Sequence, residues 1–127
     1  MSRVLIDTQA LLWWLMGDPK LGRNARRFIQ SETPVVSPVV LWEIAIKTGL
    51  KKLKANTAEI CSAVTEQGFE RIGFTDQNMI DVATLPYHHR DPFDRMLIVQ
   101  AIRSEMPILT SDRKFSHYDV EVIDARA

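Results

Sequence analysis

The feature that most constrains this chain is a set of short runs rich in β-branched residues, with helix-length segments between the first four. Val4-Leu5-Ile6, Val35-Val36, Glu70-Arg71-Ile72, Ile108-Leu109 and Val120 to Ile123 read as strands. Strands that alternate with helices cannot pair through tight hairpins, so the pattern predicts an α/β fold with a largely parallel central sheet of five strands. At 127 residues, 46% of them apolar, the chain is long enough for one continuous core and too short for two large domains. No repeat, low-complexity tract or linker divides it, so residues 1–127 are expected to form a single domain.

Capping chemistry sets the expected helices. Thr8 to Met16 ends at Gly17, and Ser37-Pro38 is a cap followed by proline at the first helical position, opening Val39 to Thr48 before Gly49. Asn56 or Thr57 can cap a helix running to Gln67, and Thr75 one running to about Ala83. Asp91-Pro92 repeats the cap-plus-proline signature, opening a helix to about Glu105 that Pro107 closes. Leu11 to Met16 and Val39 to Trp42 are apolar around most of the helix circumference, more than one core-facing stripe requires.

Sixteen basic against sixteen acidic side chains give zero formal net charge, which excludes a polybasic arm or an acidic tail. The single cysteine, Cys61, cannot close an internal disulfide, and with His88, His89 and His117 it matches no zinc spacing; it reads as a small core residue in a reducing compartment. Thr8 to Gly17 is too short and too closely flanked by acids to span a membrane, and Val4-Leu5-Ile6 is too short for a signal peptide. A cytoplasmic location is expected.

The acids carry the chemistry. Asp7 directly follows the first strand and Asp112 stands two residues after Thr110, so both belong to the carboxyl edge of the sheet, where open parallel sheets bind ligands. Glu43 lies inside an apolar helix, where a carboxylate is costly without a partner. Asp94 and Asp91 project from one first turn. Each has a plainer explanation: Asp7 and Asp91 as helix caps, Asp94 as a macrodipole partner, Asp112 as a turn residue, and Glu43 as the partner of Lys47 at i+4. Taken together the acids favour a metal. Two carboxylates ~4 Å apart repel by about 4 kcal/mol at an effective dielectric near 20, so several in one cleft need a cation between them. An all-oxygen set points to Mg²⁺ or Mn²⁺, and a carboxylate-held ion that keeps its waters suits phosphodiester hydrolysis.

Two rivals share the acids-at-strand-ends pattern. A phosphoacceptor receiver-like domain would want an adjacent acidic pair after the first strand, and a haloacid-dehalogenase-type phosphatase a second aspartate where Gln9 stands. The non-enzymatic alternative is a protein-binding module whose acids are only caps and turns.

Four blocks carry a family likeness: Val4 to Leu15 around Asp7, Ser37 to Lys47 around Glu43, Leu85 to Ala101 with Asp91-Pro92-Phe93-Asp94-Arg95, and Leu109-Thr110-Ser111-Asp112. In order and spacing they resemble PIN-domain ribonucleases, and within that superfamily the VapC-like toxins of type II toxin–antitoxin pairs. The resemblance implies a PIN-like α/β/α sandwich and a Mg²⁺- or Mn²⁺-dependent endoribonuclease inhibited by a cognate antitoxin. It implies that Asp7, Glu43 and Asp94 are the core acids, Asp112 a more variable fourth and Asp91 a possible additional ligand, with Thr110 orienting Asp112 or a water. Gln9 stands where relatives often carry His.

Lys47, Lys51, Lys52 and Lys54 form a basic stretch without an acid between Glu43 and Glu59, suited to phosphate contacts, with a solvated loop as the plain alternative. His88, His89, Arg90, Arg95, Arg113 and Lys114 flank the acid blocks, and Tyr87 is placed to stack on an unpaired base. Trp13 and Trp14 lie about 100° apart on a helix, so one core face does not readily take both. With Trp42 they form an expected partner surface, for antitoxin or for a second copy in a homodimer.

Overall fold

The computed structural model describes residues 2–127. A parallel five-stranded sheet runs in the order β3-β2-β1-β4-β5, built from β1 (Arg3–Ile6), β2 (Thr33–Val36), β3 (Glu70–Arg71), β4 (Ile108–Thr110) and β5 (Val122–Asp124). Helices α1 (Thr8–Met16), α2 (Arg23–Ser31), α3 (Pro38–Gly49), α4 (Thr57–Glu66), α5 (Asp76–Thr84) and α6 (Pro92–Arg103) flank it. The chain winds outward through β1, β2 and β3, then returns to place β4 against the other side of β1. This reversal between β1 and β4 opens a crevice at their carboxyl ends.

The central pair is sealed from water. Leu5, Ile6, Ile108 and Leu109 are fully buried, and hydrogen bonds from Leu5 N to the Pro107 carbonyl and from Asp7 N to the Leu109 carbonyl hold β1 to β4 in register. Buried on both faces, these strands need continuous apolar runs rather than alternation, as the sequence supplies. Asp7 and the segment after Thr110 are thereby fixed side by side.

The expected caps form. Ser37 Oγ accepts from Val39 N, Asn56 Oδ1 from Glu59 N, and Thr75 and Asn78 make a reciprocal capping box. Helix α2 has no counterpart among the helices read from the sequence. It begins at Gly22 without any side-chain cap, and its core signal is a stripe of Leu21, Ala25 and Ile29, all buried, with the half-buried Phe28 beside them. Gly22 is required for another reason: a Cβ there would stand 2.1 Å from the Ala127 carbonyl carbon. The chain's last residues lie against this helix start, with Gly22 N donating to the Ala125 carbonyl and Asn24 N to that of Ala127.

Two sequence expectations are corrected here. Trp13 is not a partner surface: it is 5% exposed and part of the core, covered from one side by the Arg126 guanidinium. The helix accommodates both tryptophans because α1 is buried around much of its circumference, and Trp14 is half-buried with its Nε1–H donating to Gln67 Oε1 on the far end of α4. Cys61 is a free, half-buried thiol rather than a fully enclosed core residue. Among the described residues, no helix is long and apolar enough to cross a membrane.

Candidate active site

Four acids from four parts of the fold line one cleft of about 340 Å³: Asp7 after β1, Glu43 from α3, Asp94 from α6 and Asp112 after β4. Thr8, Gln9, Lys47, Lys52 and Ser111 complete its polar wall.

The plainer explanations of these acids turn out to coexist with the convergence. Asp7 does cap α1: its Oδ1 accepts from Ala10 N at 2.8 Å, while its Oδ2 accepts from Thr110 Oγ1. Asp112 caps the short 3-10 turn Arg113–His117, its Oδ1 accepting from Lys114 N at 2.9 Å. Glu43 takes the hydroxyl of Thr8 on Oε1 at 2.6 Å and the Lys47 ammonium on Oε2 at 2.8 Å, the i,i+4 pair anticipated from the sequence. Capping and pairing fix each carboxylate's orientation without removing it from the cleft.

Thr110 connects the two strand-end acids. Its hydroxyl donates to Asp7 and accepts from Asp112 N at 3.0 Å. The sequence resemblance implies a role for Thr110 toward Asp112 or a water; its bond to Asp7 is added by the structure.

The site is charged beyond what burial tolerates. Burial pushes the Asp7 carboxyl up to about 6, against the lowering effect of the Thr110 and Ala10 hydrogen bonds, and the charges of Glu43 and Asp112 add to the rise. Burial, then the charges of Asp91, Asp7, Glu43 and Asp112, push Asp94 up to about 8. The hydrogen bond to Glu43 holds the Lys47 ammonium above its ordinary range. Two lysines, Lys47 and Lys52, against four converging acids leave the cleft short of positive charge. A divalent cation fits that deficit and the hard-oxygen donor set.

Asp91 accepts from Phe93 N and Asp94 N on its Oδ1, so the structure uses it as the α6 cap. His89, read from the sequence only as a flanking residue, is buried inside the site. Its Nε2 lies 2.8 Å from Asp112 Oδ2 and 3.0 Å from Asp94 Oδ2. Its sole sequence signal is position, two residues before the Asp91 cap. Thr8 was missed for a similar reason, since its partner Glu43 is 35 residues away.

The basic residues divide. Lys47 and Lys52 face the cleft, whereas Lys51, Lys54, Arg90, Arg113 and Lys114 are exposed around it. Arg95 is not a cleft-side phosphate ligand: it is 5% exposed, and its guanidinium donates to the carbonyls of Val82, Leu85, Pro86 and His89. An arginine this close to an acid block looks like a phosphate ligand in sequence, but these carbonyls at the end of α5 and in the loop beyond it consume its donors. Tyr87 is exposed, yet one face of its ring lies over Arg95, 3.8 Å from centroid to guanidinium carbon. Trp42 is 57% exposed, stands edge-on to Phe93, and with Phe74, Met79 and Tyr87 lines a separate apolar groove of about 600 Å³.

Residues 4–121 match the family model of the PIN domain. The chain belongs to the PIN-domain family. PIN domains are nucleases, and the acid cleft lies where this chain's sheet topology places a ligand. Similar solved structures agree on the PIN fold across nearly full lengths. One described as FitAB bound to an IR36 DNA fragment is 16% identical with a TM-score of 0.71, covering 98% of this chain and 96% of that one. VapBC2 from Rickettsia felis, bound to a promoter DNA fragment, is 17% identical with a TM-score of 0.70, covering 95% and 97%. DNA-bound VapBC from Salmonella typhimurium is 18% identical with a TM-score of 0.70, covering 98% of each chain. No curated protein matches this PIN domain by sequence.

Proposed function

We propose that this PIN domain is a Mg²⁺- or Mn²⁺-dependent endoribonuclease whose cation is held by Asp7, Glu43, Asp94 and Asp112. The observation that carries the reading is the convergence of these acids on one cleft, with Asp7 and Asp94 pushed to about 6 and 8 by burial and, to a lesser extent, by the charges of their neighbouring carboxylates. When bound, such an ion supplies a water nucleophile at neutral pH and neutralises charge on a phosphoryl oxygen. The chain's own residues then do three things. Thr110 and the Ala10 amide hold Asp7 at the end of β1, and Thr8 and Lys47 hold Glu43 across from it. Lys47 and Lys52, at the cleft wall, meet the phosphate backbone, with Lys51, Arg90 and Arg113 extending the contact along the strand.

We further propose that the chain, as a single-domain protein, is the toxin of a type II toxin–antitoxin pair in the cytoplasm. The similar structures are described as a toxin–antitoxin complex from Klebsiella pneumoniae and as VapBC complexes, which supports a cognate antitoxin as partner here. Self-association as a homodimer is assigned to the exposed groove around Trp42.

The test is cleavage of a mixed RNA pool by purified protein with Mg²⁺, Mn²⁺ or EDTA. Cleavage in either metal that EDTA stops, and that a folded Asp7→Asn variant lacks, is the expected result. Cleavage that survives in EDTA, or a fully active Asp7→Asn protein, would remove the proposed site.

A further inference from the structure

His89, Asp94 and Asp112 each place one ligand atom within 4.8 Å of the others, an arrangement that by distance alone looks like a three-ligand metal site. The hydrogen bonds around the imidazole argue otherwise. The backbone N–H of Asp91 donates to His89 Nδ1 at 3.2 Å, so the lone pair of that nitrogen is in use and it carries no proton. The ring proton therefore sits on Nε2, the nitrogen facing Asp112 Oδ2 at 2.8 Å and Asp94 Oδ2 at 3.0 Å. Turning the ring by half a revolution would point the Asp91 N–H at a carbon and leave both carboxylates facing carbons, so the hydrogen bonds select this orientation.

A histidine that ligates through Nε2 carries its proton on Nδ1 and donates it to an acceptor such as a carbonyl or carboxylate. Here the group facing Nδ1 is itself a donor. Moving the proton there would oppose two N–H groups. It would also break the bond to the backbone amide of Asp91, the α6 cap residue.

We infer that His89 is a positioning residue, held as the Nε2–H tautomer by the Asp91 amide, that orients Asp112 and Asp94 by hydrogen-bond donation and does not ligate the cation. The inference rests on the metal reading only for its purpose, since the tautomer is a property of the metal-free protein.

The loop carrying His89 is built to hold the ring in place. Its backbone N–H donates to Tyr118 Oη at 2.8 Å, and that hydroxyl donates onward to the Pro86 carbonyl at 2.6 Å. Arg95 bonds the His89 carbonyl and those of Pro86, Leu85 and Val82. Phe115 closes over the ring edge-on at 5.6 Å. This assigns Arg95 a task that its place in the Asp-Pro-Phe-Asp-Arg block does not reveal: it clamps the segment from which the imidazole reaches the acids. Asp112 needs such help, because it stands on a turn rather than on a strand or long helix.

Three measurements on the intact protein test this. In metal-free protein at pH 7.5, nitrogen-15 NMR of the imidazoles is expected to show His89 with its proton on Nε2 and an unprotonated Nδ1; a proton on Nδ1 would overturn the inference. With Mn²⁺ added, electron spin echo spectroscopy is expected to show no directly bonded imidazole nitrogen, and a His89-dependent nitrogen coupling would make it a ligand instead. His89→Gln, which keeps an amide donor near the Nε2 position, is expected to hold Mn²⁺ affinity within severalfold, whereas His89→Leu loses about 10- to 100-fold. Equal losses in both variants would contradict donation as the role. A protein that shows the Nε2–H signal yet binds no Mn²⁺ would support the tautomer and sink the metal reading, so the two fail separately.

Discussion

The two sides of the acid cleft are organised differently. On one side Asp7 and Glu43 are each about 6% exposed, and every one of their four carboxylate oxygens already accepts from a protein donor: Ala10 N–H, Thr110, Thr8 and Lys47. On the other side the Asp94 and Asp112 side chains are 21% and 36% exposed and share one imidazole on their Oδ2 atoms, with the Lys114 N–H on Asp112 Oδ1 as well. The first pair is fixed by β1, β4 and the middle of α3, all part of the core. In the second, Asp94 stands on the first turn of α6 and Asp112 at the head of a 3-10 turn, with the His89 loop between them. One wall of this cleft, termed the rigid wall, has all its carboxylate oxygens bonded and stands on core elements, whereas the other has fewer such bonds, and changes on the two sides should fail in different ways.

The largest effect is expected from removing charge on either wall. Asp7→Asn and Asp94→Asn should each lower metal-dependent RNA cleavage by more than about 100-fold, because loss of a ligand exceeds the cost of losing a residue behind one. Both should melt at or above the wild-type temperature in EDTA, since one member of a repelling cluster is gone. A variant that unfolds would show the acid to be structural.

Next comes Thr110→Val, which cuts a side chain bonded to both walls, to Asp7 Oδ2 and to the Asp112 amide. Expected is a loss of about 10- to 100-fold in metal affinity by calorimetry, with Thr8→Val, which touches the rigid wall alone, less affected. If Thr8→Val is the more damaging, the rigid wall is less self-supporting than its hydrogen bonds imply.

A pH series in EDTA tests the electrostatics. Asp7 and Asp94 titrate higher in the folded protein than in the unfolded chain, so between their ordinary range and about 8 the native state binds more protons. Stability of the metal-free protein should therefore be greatest at acid pH as far as these groups are concerned, and fall as pH rises through about 6 and then about 8. Thermal melts of wild type and Asp94→Asn should diverge most in how steeply they fall above pH 6, with the variant flatter. Parallel slopes would mean Asp94 is ionised throughout.

The smallest effect belongs to the cap. Asp91→Ala should cost about 1 kcal/mol of stability while retaining part of the cleavage activity, read by chemical denaturation and by RNA assay. Folded but inactive Asp91 variants would move that acid from cap to ligand.

What the sequence discloses follows the range of each interaction. The strands, five of the helix starts and the positions of Asp7 and Asp112 at strand ends are local facts, written in neighbouring residues. Glu43 was conspicuous because a carboxylate in an apolar helix breaks a pattern. Helix α2 carries an amphipathic stripe of Leu21, Ala25, Phe28 and Ile29, but the glycine at its start supplies no side-chain cap, and a reading built on caps passes over it. Arg95, Trp13 and His89 were misread because their partners are remote: carbonyls as far as 13 residues back in sequence, a core on the sheet, and an aspartate 23 residues on. Capping and a place in the cleft are not alternatives, since Asp7 and Asp112 each cap a helix or turn with one oxygen and still line the cleft.

The central claim is that the four carboxylates of this PIN domain form one cation site. Mn²⁺ titration by calorimetry at pH 7.5, repeated in buffers of different ionisation heat, tests it most directly. The account predicts saturable binding with protons released from the high-titrating carboxylates, Asp94 foremost, and loss of both the binding and the proton release in Asp94→Asn. Absence of saturable binding, or unchanged binding and proton release in Asp94→Asn, would contradict it.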